Sequence, residues 1–142
     1  MQVDNILQSK GAAVFTVAAG APLSEAVTML NTHKIGAVVV VDAKGKVAGI
    51  LSERDIVRRL DGDVAALLAA PVRTAMTAKV ITTTRDASVS DLMELMTRHR
   101  IRHLPVVEAG RLVGIVSIGD VVKRKIEETE FEATALREYI AS

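Results

Sequence analysis

The sequence predicts an α+β module of two similar repeats, each a strand, a helix, two strands and a second helix, with a further helix at the C-terminus. Two observations carry this prediction. Residues 14–43 align without gaps with residues 80–109, and residues 45–59 with residues 110–124, giving 16 identities in 45 aligned pairs. Both copies also show the same succession of strand-like and helical apolar spacings. The chain is therefore a duplication of one structural unit.

Each copy opens with a short strand and a helix whose first residues are small, hydroxylated or acidic, as helix caps require. An apolar run then predicts a strand buried on both faces. A polar turn containing glycine joins this run to a second strand as a hairpin, and a second helix begins at Ser52 or Ser117. The predicted strands are 14–17, 35–41 and 47–51 in the first copy, and 80–83, 104–107 and 112–116 in the second.

The repeat predicts boundaries at residues 1–70 for the first copy, 71–126 for the second and 127–142 for the C-terminal helix. An alanine-rich helical stretch, ended by Pro71, links the copies. Since one copy alone can bury only a modest core, we expect both to pack into one module. The terminal helix has an apolar side that packs either on its own module or on a partner subunit.

Composition excludes several classes of function. The 142 residues carry a net charge of +1 and only 2% aromatic residues, which disfavours nucleic-acid binding. There is no cysteine, so disulfide scaffolds, thiolate zinc sites and cysteine nucleophiles are excluded. The apolar runs are shorter than the roughly 18 residues that cross a bilayer, and the N-terminus does not resemble a secretory signal. We expect a cytoplasmic protein without a membrane partner.

Candidate chemistry lies at two Ser-x-x-Asp segments, Ser52 to Asp55 and Ser117 to Asp120, each opening a helix directly after a strand. Free backbone N–H groups at a helix start favour an anion. A serine hydroxyl can donate to a phosphate, and an aspartate can accept from ribose hydroxyls. The alternative is ordinary helix capping. Two copies at matching positions favour a nucleoside phosphate.

The duplicated unit, the segments 49–55 and 114–120 and the lead-ins 3–7 and 72–77 resemble a tandem pair of cystathionine-β-synthase (CBS) domains, the Bateman module, in a stand-alone protein of bacterial type. This resemblance implies two β-α-β-β-α repeats related by a pseudo-twofold axis. It also implies adenosine-containing ligands in the clefts between the repeats, and pairing into disc-like homodimers.

The same resemblance implies the roles of individual residues. Asp55 and Asp120 would hold ribose hydroxyls, and Ser52 and Ser117 would assist with phosphate. The adenine would be bordered by backbone groups near Thr16 and Thr82.

The copies differ in their basic residues. Arg102 and His103 have no basic counterparts in the first copy, and Arg54 stands opposite Gly119. The resemblance implies that Arg102 and His103 contact ligand phosphates, to which arginine and histidine can both donate. A surface arginine and a packed histidine are the alternative. We predict a tighter site built from Ser117, Asp120, Arg54, Arg102 and His103, and a second site around Ser52 and Asp55 that is either weaker or accepts a different adenosyl ligand.

The predicted function is a non-catalytic regulatory module that binds an adenine nucleotide and signals to a separate, unidentified effector protein. AMP is the preferred candidate ligand, and ADP, ATP and NAD(H) are the alternatives. The competing hypothesis is an interaction scaffold whose nucleotide site is vestigial. An enzyme is disfavoured, because no nucleophile with an adjacent base, metal-directed carboxylate pair or P-loop is present. Zinc at His99 and His103 is disfavoured because the pair spans a helix-to-strand junction. No metal is required.

Overall fold

The computed structural model describes residues 1–11 and 13–141 and has the predicted α+β fold. Apart from the first strand of the second repeat, the helices and strands follow the order that the repeat predicts; one helix before the first repeat and a 3₁₀ helix between the repeats were not predicted. The elements are α1 (Val3–Lys10), β1 (Thr16–Ala18), α2 (Leu23–His33), β2 (Ala37–Val41), β3 (Val47–Ser52), α3 (Glu53–Val57), α4 (Val64–Ala69), a 3₁₀ helix (Val72–Thr74), α5 (Val89–His99), β4 (His103–Glu108), β5 (Arg111–Ser117) and α6 (Ile118–Ala141).

The chain divides into two compact units. The first-repeat unit comprises Ala13–Ile81 and Ala109–Leu112. The second-repeat unit comprises the described residues of Met1–Ala12, Thr82–Glu108 and Val113–Ser142. The boundaries predicted at residues 70 and 126 stay predictions. The helix predicted after Ser117 and the one predicted over 127–142 are a single continuous helix, α6.

The first-repeat unit contains a three-stranded sheet in the order β1-β2-β3, with β1 parallel and β3 antiparallel to β2. The four residues 37–40 of β2 are all buried, as expected of a strand covered on both faces. Leu23, Ala26 and Leu30 of α2 pack with Val38 and Val40 in its core.

The second-repeat unit contains a two-stranded sheet, β4-β5. The strand predicted at 80–83 is reduced to one parallel bridge between Thr83 and Val106. Pro105 supplies the physical reason. In the first repeat the equivalent residue, Val39, donates its N–H to the carbonyl of Phe15 at 3.4 Å. Proline has no N–H to donate, so the pairing shortens here.

The two lead-in segments are exchanged between the units. α1 precedes the first repeat but packs in the second-repeat unit, where the Val3 N–H donates to the Ala87 carbonyl at 2.9 Å. The 3₁₀ helix precedes the second repeat but packs in the first-repeat unit, where the Val72 N–H donates to the Ala21 carbonyl at 2.8 Å. Val3 and Val72 are both fully buried. Each lead-in therefore completes the core of the other copy.

Two equivalent glycines let the lead-ins approach the sheets. A Cβ atom on Gly49 would lie 2.5 Å from the Met76 sulfur and 2.9 Å from the Thr77 carbonyl oxygen. A Cβ atom on Gly114 would lie 2.6 Å from Cδ2 of Leu7. Both positions therefore need glycine for close approach rather than for an unusual backbone conformation.

Candidate functional site

The first candidate site is the start of α3, where Ser52 and Asp55 cap the helix reciprocally. The Ser52 N–H and hydroxyl donate to Asp55 Oδ2 at 2.9 and 3.1 Å. The Asp55 N–H donates back to the Ser52 hydroxyl oxygen at 3.3 Å. This capping box satisfies backbone donors that the first turn would otherwise leave unpaired.

The start of α6 repeats this arrangement almost to the tenth of an ångström. The Ser117 N–H and hydroxyl donate to Asp120 Oδ2 at 2.9 and 3.0 Å, and the Asp120 N–H donates to Ser117 Oγ at 3.3 Å. Both serine hydroxyls already donate within their own capping boxes. A serine that binds phosphate would therefore have to turn its hydroxyl away from the aspartate.

The partner of the aspartate distinguishes the two sites. In the first repeat, the Thr77 hydroxyl donates to Asp55 Oδ1 at 3.2 Å. In the second repeat, the Lys10 ammonium donates to Asp120 Oδ2 at 2.6 Å and to the Ile115 carbonyl at 3.1 Å. One aspartate thus has a neutral partner and the other a cation.

The pKa of the Asp120 carboxyl reflects this cation. Partial burial by itself raises the pKa, because it disfavours the charged form. Hydrogen bonds from Lys10 and from the Ser117 backbone, together with the Lys10 charge, outweigh burial and lower the pKa below its ordinary value. Asp120 is therefore held as a carboxylate.

A cavity of about 110 Å³ adjoins the Lys10 to Asp120 pair, between α1 and α6. Most of its lining is polar, with three cationic and two acidic side chains. The lining residues are Ile6, Ser9, Lys10, Asp120, Lys123, Arg124 and Glu127. Lys10 was not among the predicted site residues, because it lies in a lead-in outside the aligned repeat. The one signal in the sequence was that this lead-in ends in a lysine, a cation that could pair with a site carboxylate.

Arg102, His103 and Thr82 lie in the second-repeat unit with Ser117 and Asp120. The Arg102 carbonyl accepts from the Ile118 N–H at 2.8 Å, which brings the backbone of residue 102 to the first residue of α6. The Arg102 side chain is exposed, and among the described residues it has no ion-pair partner. His103 is half-buried at the first position of β4.

Arg54 and Thr16 lie in the first-repeat unit with Ser52 and Asp55. Arg54 is exposed on α3, and Thr16 is exposed on β1. Four of the five residues predicted for the tighter site thus share one unit, and Arg54 belongs to the other. The role of each of these residues stays a prediction.

Within residues 1–11 and 13–141, the structure holds no group of three or more histidines and carboxylates that could bind a metal ion. The His33 ring stacks on Phe15 with ring centroids 3.6 Å apart. No helix in these ranges combines the length and apolarity needed to cross a membrane.

The family model of the CBS domain matches this chain twice, at residues 10–62 and 72–127. The CBS domain-containing protein YhcV of Bacillus subtilis is 34% identical over 113 residues, which are 76% of each chain. The mitochondrial CBS domain-containing protein CBSX3 of Arabidopsis thaliana is 38% identical over 82% of this chain and 58% of its own. An inosine-5'-monophosphate dehydrogenase of Methanocaldococcus jannaschii matches over only 22% of its length.

Solved structures agree with this match. The CBS-domain containing protein ATU1752 from Agrobacterium tumefaciens superposes with a TM-score of 0.83 and 48% identity, covering 87% of this chain and 92% of that one. The CBS domain pair of protein MJ0100, solved with 5'-methylthioadenosine and S-adenosyl-L-methionine, superposes with a TM-score of 0.79 and 28% identity. It covers 90% of this chain and 98% of its own.

Proposed function

The chain belongs to the CBS domain family as a tandem pair of CBS repeats. From that premise we propose that it is a non-catalytic regulatory module. Its second repeat would bind an adenine nucleotide at the start of α6. AMP is the first candidate, with ADP, ATP and NAD(H) after it. The bound state would be read by a separate effector protein. We place the module in the cytoplasm.

The observation that carries the proposal is the state of the Asp120 carboxylate. Its Oδ2 atom accepts from Ser117 and Lys10, whereas Oδ1 accepts from no residue within the described ranges. Asp55 differs, because Thr77 occupies its Oδ1 atom. A carboxylate oxygen with open lone pairs at a helix start suits the hydroxyls of a ribose. The adenosyl ligands of the MJ0100 domain pair support this class of ligand.

Arg102 supports a ligand that carries phosphate. The exposed Arg102 guanidinium has five donors in a rigid fork that matches phosphate oxygens. Its backbone is tied to the first residue of α6 by the hydrogen bond from Ile118. The N-terminal end of the 24-residue helix adds positive potential where the phosphate would lie.

A scaffold with a vestigial site is the second candidate, and the Lys10 contact favours it. The ammonium lies 2.6 Å from the Asp120 carboxylate, where it competes with any incoming donor. A module that had lost its ligand would gain from such an internal partner. The two hypotheses differ in whether added nucleotide separates the Lys10 ammonium from the Asp120 carboxylate.

Thermal unfolding distinguishes them. The purified chain is heated with AMP, ADP, ATP, NAD, NADH, S-adenosylmethionine or 5'-methylthioadenosine, and with GMP as a control. A ligand at 100 times its dissociation constant adds about 2.7 kcal/mol, a shift of several degrees for a domain of this size. We expect an adenosyl ligand to shift the wild type and to lose this effect in Asp120→Ala.

Asp91→Ala is the matched control, because Ser88 and Asp91 form the same capping box at α5. It removes an equivalent cap and should keep the ligand shift. Arg102→Gln tests the phosphate: it should reduce the AMP shift and leave that of uncharged 5'-methylthioadenosine intact. If no adenosyl ligand shifts the wild type, the nucleotide proposal fails and the scaffold hypothesis stands.

A further inference from the structure

Helix α6 carries a heptad stripe that its own unit leaves mostly exposed. Apolar and small residues recur along it at alternating spacings of four and three, which is the pattern of a left-handed coiled coil. The stripe consists of Val122, Ile126, Thr129, Ala133, Leu136 and Ile140. We call these six residues the α6 seam.

The α6 seam faces away from the core of the second-repeat unit. Val121, which packs into that core, is fully buried, whereas its neighbour Val122 is 42% exposed. Farther along the seam, Ile126 is 53% exposed, Leu136 59% and Ile140 75%, whereas Ala133 is half-buried. A monomer would leave this apolar stripe in water along a helix of 24 residues, about 36 Å long. A helical segment of this kind gains most of its stability from packing of its apolar face.

The charged residues beside the α6 seam indicate which partner fits it and in which orientation. We propose that α6 pairs with α6 of a second copy of this chain in a parallel, in-register, two-stranded coiled coil. In that arrangement Lys125 faces Glu130 of the second copy, and Glu132 faces its Arg137. Each contact occurs twice by symmetry, so four opposite-charge pairs flank the seam.

An antiparallel pair with the same core layers would place like charges together. Glu132 would face Glu132 of the second copy, Glu130 would face Glu130, and Lys123 would face Arg137. Like charges in these positions disfavour that orientation. The flanking charges therefore favour the parallel pair, and this inference does not depend on nucleotide binding.

Cysteine cross-linking tests the orientation, since the chain has no cysteine of its own. In a parallel pair, Ile140→Cys brings two thiols across the seam within disulfide distance, and mild oxidation should yield a covalent dimer. Phe131→Cys is the matched control: residue 131 is 74% exposed and lies on the opposite side of the helix. It should cross-link far more slowly. An antiparallel pair would instead cross-link Val122→Cys with Ile140→Cys in a mixture.

Sedimentation equilibrium of the full chain tests the seam itself. Leu136→Glu should weaken the dimer by roughly tenfold or more, while Phe131→Glu should leave it unchanged. Glu132→Arg should weaken it as well, and the double variant with Arg137→Glu should restore it. Circular dichroism checks that each variant stays folded. The proposal is overturned if the wild type is monomeric at every concentration reached, if Leu136→Glu remains fully dimeric, or if residues 131 and 140 cross-link equally fast.

Discussion

The two repeats hold the same capping box in different electrostatic surroundings. Asp55 in the first repeat receives a hydroxyl from Thr77, and Asp120 in the second receives the ammonium of Lys10. The distances inside the two boxes agree within 0.1 Å. The duplicated scaffold therefore fixes the geometry, and the exchanged lead-ins set the charge. If both helix starts bind the proposed ligand, we expect them to differ in affinity.

The largest difference that we expect between the repeats comes from their equivalent glycines. Gly49→Ala would press a methyl group against the Thr77 backbone, which cannot turn aside, and should cost about 1–3 kcal/mol. Gly114→Ala would press it against the end of the Leu7 side chain, which can rotate, and should cost less. Urea unfolding midpoints measure both effects.

Gly62→Ala is the control for this pair, since a Cβ atom there would meet nothing within 4 Å. It should be neutral or slightly stabilising. Equal losses of stability in Gly49→Ala and Gly114→Ala would contradict this difference and show that the two lead-ins are equally rigid.

A smaller effect is expected from Lys10→Met, which removes the cation from the second site. The ion pair is partly exposed, so its loss should cost about 0.2–1 kcal/mol at neutral pH. A carboxyl with a lowered pKa stabilises the fold above the pKa of the unfolded chain, and this stabilisation is lost as pH falls through the pKa of the folded state. The difference in the free energy of unfolding between wild type and variant should therefore disappear as the pH falls below about 4.

Unfolding in urea at several pH values measures that difference, and NMR titration of the Asp120 carboxyl should show a higher pKa in Lys10→Met. Lys44→Met, in the exposed turn between β2 and β3, controls for the loss of one positive charge. A difference that is constant with pH would mean that Lys10 acts through packing alone.

The smallest effect is expected from Thr77→Val. It removes one exposed hydrogen bond to Asp55 and leaves both backbone bonds between Thr77 and Ile50 in place. The expected loss is below about 0.5 kcal/mol, because the bond is exposed to water, and the unfolding midpoint measures it. Thr97→Val, an exposed position on α5, is the control. A loss larger than that of Lys10→Met would reverse the ranking of the two partners.

The sequence predicted most of the fold because the duplication repeats each apolar spacing twice. It predicted the strand at 80–83 wrongly, because the effect of Pro105 depends on which strand pairs beside it. It did not predict α1, whose eight residues are helical because Val3, Ile6 and Leu7 are buried by distant residues. Lys10 was missed for the same reason: its contact with Asp120 joins residues 110 positions apart. Local patterns do not contain such contacts.

The exchange of lead-ins has a consequence for the order of events on the ribosome. Chains emerge from their N-terminal end, so α1 leaves the exit tunnel well before the segments that bury it, which begin at residue 82. The first repeat is completed by the lead-in of the second repeat, the 3₁₀ helix, which becomes available only once residues 72–74 have been synthesised. We therefore expect the first repeat to become compact before α1 has packed. Until the second repeat is complete, Val3, Ile6 and Leu7 would be exposed and accessible to chaperones.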